Sequence, residues 1–132
     1  MIAQYWDETE DVLAKEIVSD WPAFLELVRR TETSSSGRGI PAIELSDDED
    51  VTCIFIRFEG GGCTVATGDS KGLAWPAGFN NGGCEYVHYD YFGSWSEVPA
   101  DLVIPREKAL AAVKSFLETG DISPSVLLLV RE

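Results

Sequence analysis

The segment at residues 105–120 constrains the fold more than any other. Proline is tolerated where a helix starts, because its missing N–H would have no partner there, and glycine readily takes the left-handed conformation that ends one. Between Pro105 and Gly120, the residues Ala109, Leu110, Val113, Phe116 and Leu117 recur at helical spacing and form one apolar face. An apolar helix face must be covered by another layer, and several segments of the remaining chain read at the two-residue period of strands.

A second helix is expected from Ser19 and Asp20, whose short side chains cap free N–H groups, with Pro22 in its first turn. It runs to Arg30 with Trp21, Phe24, Leu25 and Val28 on one face. Residues 31–39 hold nothing that fills a core and read as a loop. Strands are predicted at 2–6 and 12–18 around an acidic turn at 7–11, and at 40–45, where Pro41 suggests a sheet edge. Asp47, Asp48, Glu49 and Asp50 then read as a hairpin tip. In residues 51–59, Ile54, Ile56 and Phe58 fall on one face and Cys53, Phe55 and Arg57 on the other. Gly60, Gly61 and Gly62 turn the chain into a strand at 63–67.

Residues 68–83 read as a long connection carrying Trp75 and Asn80, and such connections in small domains are more often functional than idle. An aromatic strand at 85–92 sets Val87, Tyr89 and Tyr91 opposite Tyr86, His88 and Asp90. A turn at 93–97 holds Trp95 and Glu97, and a Val- and Leu-rich strand at 125–131 is expected to be well buried. The fold class is α+β, an antiparallel sheet of about six strands with two helices packed on it. The length of 132 residues suits one domain spanning residues 1–132.

Charge narrows the function classes. Ten Lys and Arg against 23 Asp and Glu give a net charge of −13. A surface of that sign does not replace counterions on phosphates, which argues against direct nucleic-acid binding and against anionic membranes. The apolar run at 126–130 is far short of the about 20 residues a bilayer crossing needs. Cys53, Cys63 and Cys84 are odd in number and form no CxxC pair, and the N-terminus turns acidic at once instead of reading as a signal peptide, so the cytoplasm is the expected location.

Little in the chain points to catalysis or to a cofactor. His88 is the only histidine, and a strand residue between two tyrosines is a poor match for the partner of an activated nucleophile. Three isolated Cys and one His lack zinc-ligand spacing. Counted from Asp47 as a calcium loop, position six is Thr52 and position twelve is Phe58, which fails the pattern. The Gly60 run has no following Lys-Ser or Lys-Thr, so it reads as a turn and not as a phosphate cradle. What stands out is an acidic hairpin tip together with aromatic residues crowded between Trp75 and Trp95. Trp and Tyr anchor protein interfaces, and acids around them steer a basic partner. The same rings also suit a core, with the acids serving solubility.

The C-terminal third carries a combined pattern: the aromatic strand from Tyr89, Gly93-Ser-Trp95-Ser-Glu97-Val-Pro99, the helix start Ile104-Pro105 and the helix end Phe116-Leu-Glu-Thr-Gly120. It resembles the signature of the first-numbered immunity-protein family of bacterial polymorphic toxin systems. Members commonly finish with a strand carrying a Trp, whereas here Pro124 leads into Val126-Leu-Leu-Leu-Val130. The resemblance implies a non-enzymatic cytoplasmic inhibitor of a cognate toxin, often one acting on nucleic acid, with cytosine deaminases among the partners. A one-to-one complex with the toxin domain is expected, with Asp47, Asp48, Glu49, Asp50, Trp75, Asn80, Tyr86, His88, Trp95 and Glu97 as candidate contacts. Trp95 and Glu97 fit the family motif, where residues also serve the fold. Two other readings stand beside it: a small-ligand or regulatory module built on the aromatic strand and the Trp75 loop, and a hydrolase using an acid and His88.

Overall fold

The computed structural model describes residues 1–7, 9–34, 40–58, 62–76, 86–92 and 94–131. Among them, seven strands form one sheet in which every pairing is antiparallel. In chain order these are β1 (Ile2–Asp7), β2 (Val12–Ile17), β3 (Ile43–Ser46), β4 (Thr52–Arg57), β5 (Cys63–Asp69), β6 (Gly72–Pro76) and, after a break in the count, β9 (Leu129–Arg131). Their spatial order is β2-β1-β3-β4-β5-β6-β9. The break holds β7 (Tyr86–Tyr91) and β8 (Ser94–Pro99), a separate antiparallel hairpin. Helices α1 (Trp21–Ser34) and α2 (Arg106–Thr119) complete the α+β architecture.

Alternation along the central strands makes two cores on the two faces of the sheet. On one face Ala3, Tyr5, Ile43, Leu45, Cys53, Phe55, Cys63 and Val65 pack against Phe24, Leu27 and Val28 of α1 and Ala109, Ala112, Val113 and Phe116 of α2. Phe24 meets Phe55 edge-on with ring centres 5.8 Å apart. Truncating a fully buried phenylalanine such as Phe55 to alanine would cost roughly 3–5 kcal/mol. On the other face Ala42, Ile54, Ile56 and Phe58 meet Val98 and Leu102, with Val87, Tyr89 and Tyr91 packed against them. The hairpin β7–β8 therefore lies over the sheet on the side away from the helices.

Arg57 shares the helix-side face with Cys53 and Phe55, as its position in the alternation requires, and is 2% exposed. It donates to the carbonyls of Val28 at 3.2 Å and Pro41 at 2.7 Å. The Glu32 carboxylate lies 3.8 Å away and is shared with Arg106, so the cluster ties α1, β4 and α2 together. Burial pulls the Arg57 guanidinium down to about 10, against the opposing pull of Glu32.

The helix boundaries follow from local chemistry. Asp20 Oδ1 accepts the N–H of Ala23 at 2.9 Å, which caps α1. Gly120, at φ 81°, closes α2 with its N–H on the carbonyl of Phe116. Asp7 Oδ1 accepts the N–H groups of Thr9 and Glu10 and shapes the acidic β1–β2 turn.

Several sequence expectations need correction. Helix α1 continues past Arg30 to Ser34, because Thr31 is buried and returns its hydroxyl to the carbonyl of Val28 at 3.0 Å. Its buried stripe is Phe24, Leu27, Val28 and Thr31, whereas Leu25 sits one residue off that stripe and is 40% exposed. Residues 35–39 of the expected loop lie outside the described residues. Strand β3 is interior, between β1 and β4, and Pro41 falls before it, so the proline marks no edge. Over residues 68–76 the connection read at 68–83 instead extends β5 to Asp69 and opens β6 after a two-residue turn, while residues 77–83 lie outside the described residues. Gly68 allows that tight hairpin, since a Cβ there would come within 2.1 Å of the Gly72 carbonyl oxygen. The turn read at 93–97 is strand β8 over most of its length. The buried strand read at 125–131 is a short edge strand: Val126 and Leu127 close a turn on the Ser123 carbonyl, and Leu128 and Val130 are more than half exposed. The glycine turn after β4 is described only at Gly62, whose carbonyl accepts the N–H of Phe58 at 2.9 Å. No helix is long and apolar enough to cross a membrane among the described residues.

Candidate functional site

The alternation of β7 divides its side chains between two environments. Val87, Tyr89 and Tyr91 turn toward the sheet and join the second core. Tyr89 stands edge-on to Phe58 at 6.1 Å and to Tyr91 at 6.3 Å. The Tyr91 hydroxyl donates to Glu44 Oε2 on β3 at 3.2 Å. Burial, followed by the negative charge of Glu44 and its hydrogen bond, pushes the Tyr91 phenol up to about 12. Phe92 takes φ 51° as the chain reverses toward β8.

The outer face of the same hairpin is free of that core. His88 pairs with Glu97 across the ladder, and His88 Nε2 lies 3.2 Å from Glu97 Oε2. Both side chains are about half exposed, at 47% and 55%. A pair so placed contributes at most about 1 kcal/mol to folding, so the fold does not require it. Tyr86 shares the parity of His88 and is 53% exposed. An exposed tyrosine, a histidine and a carboxylate thus stand together on a two-stranded support. Ser96 has the opposite parity, opposite Tyr89 in the ladder, and Cys53 and Cys63 lie in the helix-side core. Burial pushes the Cys53 thiol up to about 12 and the Cys63 thiol upward as well, so neither is poised as a thiolate.

The acidic tip joins β3 to β4 as the sequence predicts, but its members differ in role. Asp47 Oδ1 accepts the N–H groups of Glu49 at 2.8 Å and Val51 at 3.0 Å, which holds the turn. Asp48, Glu49 and Asp50 are exposed, and Asp50 takes φ 62°, a conformation that Asp and Asn tolerate better than most residues. Three carboxylates therefore project freely from a turn fixed by the fourth. Asp69 and the β5–β6 turn stand at the same end of the sheet, because Thr52 pairs with Gly68.

Trp75 is not in a loop. It lies on β6, opposite Val130, and packs half-buried against the second core. Asn80 lies outside the described residues. Trp95 belongs to β8, where its backbone stands opposite Asp90. The structure thus brings Tyr86, His88 and Glu97 together, sets the acidic tip at one end of the large sheet, and turns Trp75 into the core. Glu44 was missed by sequence reasoning. Its place between Ile43 and Leu45 already required it to face away from the helices, but its phenol partner is 47 residues distant in sequence.

The family model described as Immunity protein Imm1 matches residues 2–129. A comparison with curated proteins returned no match.

Proposed function

The chain belongs to the Imm1 immunity-protein family, and on that footing we propose that it binds and neutralises one cognate secreted bacterial toxin in the cytoplasm, as a one-to-one complex and without catalysis or cofactor. The toxin acts on nucleic acid, as a cytosine deaminase or a nuclease does. Such an enzyme needs a basic substrate groove, and an acidic protein of net charge −13 occupies that groove as a decoy. Asp48, Glu49 and Asp50 steer the approach, while Tyr86, His88, Trp95 and Glu97 on the β7–β8 hairpin supply the short-range contacts. Asp47 holds the steering turn, Trp75 supports the hairpin from beneath, and Asn80 adds to the contact.

The observation that carries this reading is the division of the hairpin. Its inner face is consumed by the core, whereas its outer face leaves Tyr86, His88 and Glu97 exposed. The same division speaks against a small-ligand pocket on the aromatic strand, since Trp75, Tyr89 and Tyr91 pack on Ile54, Ile56 and Phe58. The test uses the neighbouring reading frame. Its toxic C-terminal domain, co-expressed with this chain, is expected to co-purify and to lose its toxicity, and a His88→Ala, Glu97→Gln double variant is expected to bind at least about tenfold more weakly. Cells that die equally fast with and without this chain would refute the proposal.

A further inference from the structure

The large sheet ends on the six-residue strand β2. Among the described residues β2 pairs with β1 alone. Val18 and Met1 bond to each other in both directions, at 2.8 Å and 3.1 Å. Such pairs alternate along an antiparallel ladder with pairs that exchange no bond. Glu16, Ala14 and Val12 therefore bond to β1, and Leu13, Lys15 and Ile17 direct their N–H and C=O groups outward.

The side chains of those residues lie on one face. Ala3 and Tyr5 belong to the helix-side core, so their neighbours Ile2 and Trp6, paired with Ile17 and Leu13, face the other way. The β7–β8 hairpin packs over the β4 end of that face; toward β2, Trp6 is half-buried with its indole nitrogen wholly buried, whereas the outermost apolar side chains remain in solvent. Ile2, Leu13 and Ile17 are exposed there, Ile17 at 79%. Natural edges of this length are usually blunted by charge or covered, and here a single lysine interrupts the apolar strip.

Charge identifies what can cover it. The β1–β2 turn holds Asp7, Glu10 and Asp11 at one end of the strip. The β3–β4 tip holds its carboxylates at the other end, because Ile2 pairs with Ser46. A second copy of this chain laid along β2 in either direction would set acids against acids, which disfavours self-pairing. A partner with basic residues at both ends of an apolar stretch meets no such penalty. We propose that β2 is a docking edge for an extended cationic segment of the toxin, which adds to the sheet as a further strand, seats alternate apolar side chains on Ile2, Leu13 and Ile17, and sets Lys or Arg against the two acidic ends. This rests on the toxin-binding reading and names an edge that reading does not use.

The test exploits the direction of one N–H group. Lys15→Pro removes a donor that faces away from β1, so the native ladder keeps its bonds. With the toxin domain of the neighbouring reading frame, Lys15→Pro is expected to weaken binding about tenfold, the loss of roughly one to two hydrogen bonds. Lys15→Ala, which keeps the donor, binds within about twofold of the native chain. Amide exchange at Leu13, Lys15 and Ile17 is expected to slow at least about tenfold in the complex. Should Lys15→Pro not fold, the Leu13→Thr, Ile17→Thr double variant takes its place with the same expected loss. A toxin domain that binds native and variant chains alike while β2 amides exchange as in the free protein would overturn the docking edge and leave the toxin-binding reading intact. A toxin domain that does not bind at all would overturn that reading. The edge is then judged with a peptide of alternating Val and Thr flanked by lysines: slowed exchange at the same three amides supports it, and unchanged exchange or dimerisation through β2 overturns it.

Discussion

Neutralising the free carboxylates of the β3–β4 tip separates steering from contact. The variant Asp48→Asn, Glu49→Gln, Asp50→Asn moves the net charge from −13 to −10. It spares Asp47, whose carboxylate holds the N–H groups of Glu49 and Val51. Asparagine suits the left-handed conformation of residue 50, so the turn persists. At a separation of about 10 Å in water, each carboxylate attracts a unit positive charge by about 0.4 kcal/mol. Three of them give about 1.2 kcal/mol, or near eightfold in association rate at low ionic strength. At physiological salt the screening length is about 8 Å, which leaves about 0.35 kcal/mol and near twofold in rate. Stopped-flow association with the catalytically silenced toxin domain, across a series of salt concentrations, measures both numbers. The dissociation rate is expected to change little. An association rate unchanged at low salt would refute steering, and a deficit that persists undiminished at high salt would show that the tip acts by contact instead.

Three further outcomes follow from the interior. Arg57→Met leaves the carbonyls of Val28 and Pro41 without their donor, and is expected to cost about 3 kcal/mol in urea unfolding; an unchanged midpoint would refute the staple. Cys53 and Cys63 are buried with thiols shifted upward, so alkylation followed by mass spectrometry should find them unmodified until the chain unfolds. The Tyr91 phenol holds its proton up to about 12 in the folded chain, whereas the unfolded chain releases it near 10. The native state then binds more protons over that interval, so the stability Tyr91 contributes is complete below pH about 10 and is lost as pH rises through about 12. Tyr91→Phe is expected to flatten this alkaline decline in unfolding midpoint, and an identical slope in the variant would contradict the raised Tyr91 phenol.

The parts of the fold that could be read from the sequence are those in which one period and one pair of boundary residues dominate. Helix α2 has Pro105 and Gly120 at its ends and one apolar face between them, and β4 alternates without interruption from Cys53 to Phe58. Strands β6 and β8 escaped because Gly72, Pro76, Ser94, Ser96 and Pro99 are turn-forming residues by local preference, and only pairing with β5, β9 and β7 makes them strands. The C-terminal Val and Leu run misled for the opposite reason. Its composition suits a buried strand, but its place at the end of the strand order leaves Leu128 and Val130 in solvent. For the candidate site, the two faces of β7 followed from alternation, and so did the exposed tip. The meeting of His88 with Glu97 did not, because their register depends on a turn whose length the sequence left open. The β2 edge was equally hidden: Val12, Leu13 and Ile17 are apolar, and only the topology shows that β2 has a single strand partner among the described residues.

Titrating the toxin's activity with this chain tests the account most directly. On the proposed function, a cognate toxin domain encoded in the neighbouring reading frame, assayed on its own substrate, is expected to lose activity in proportion to added protein and to reach zero at one equivalent. Full activity at a large excess of the folded chain would contradict the account.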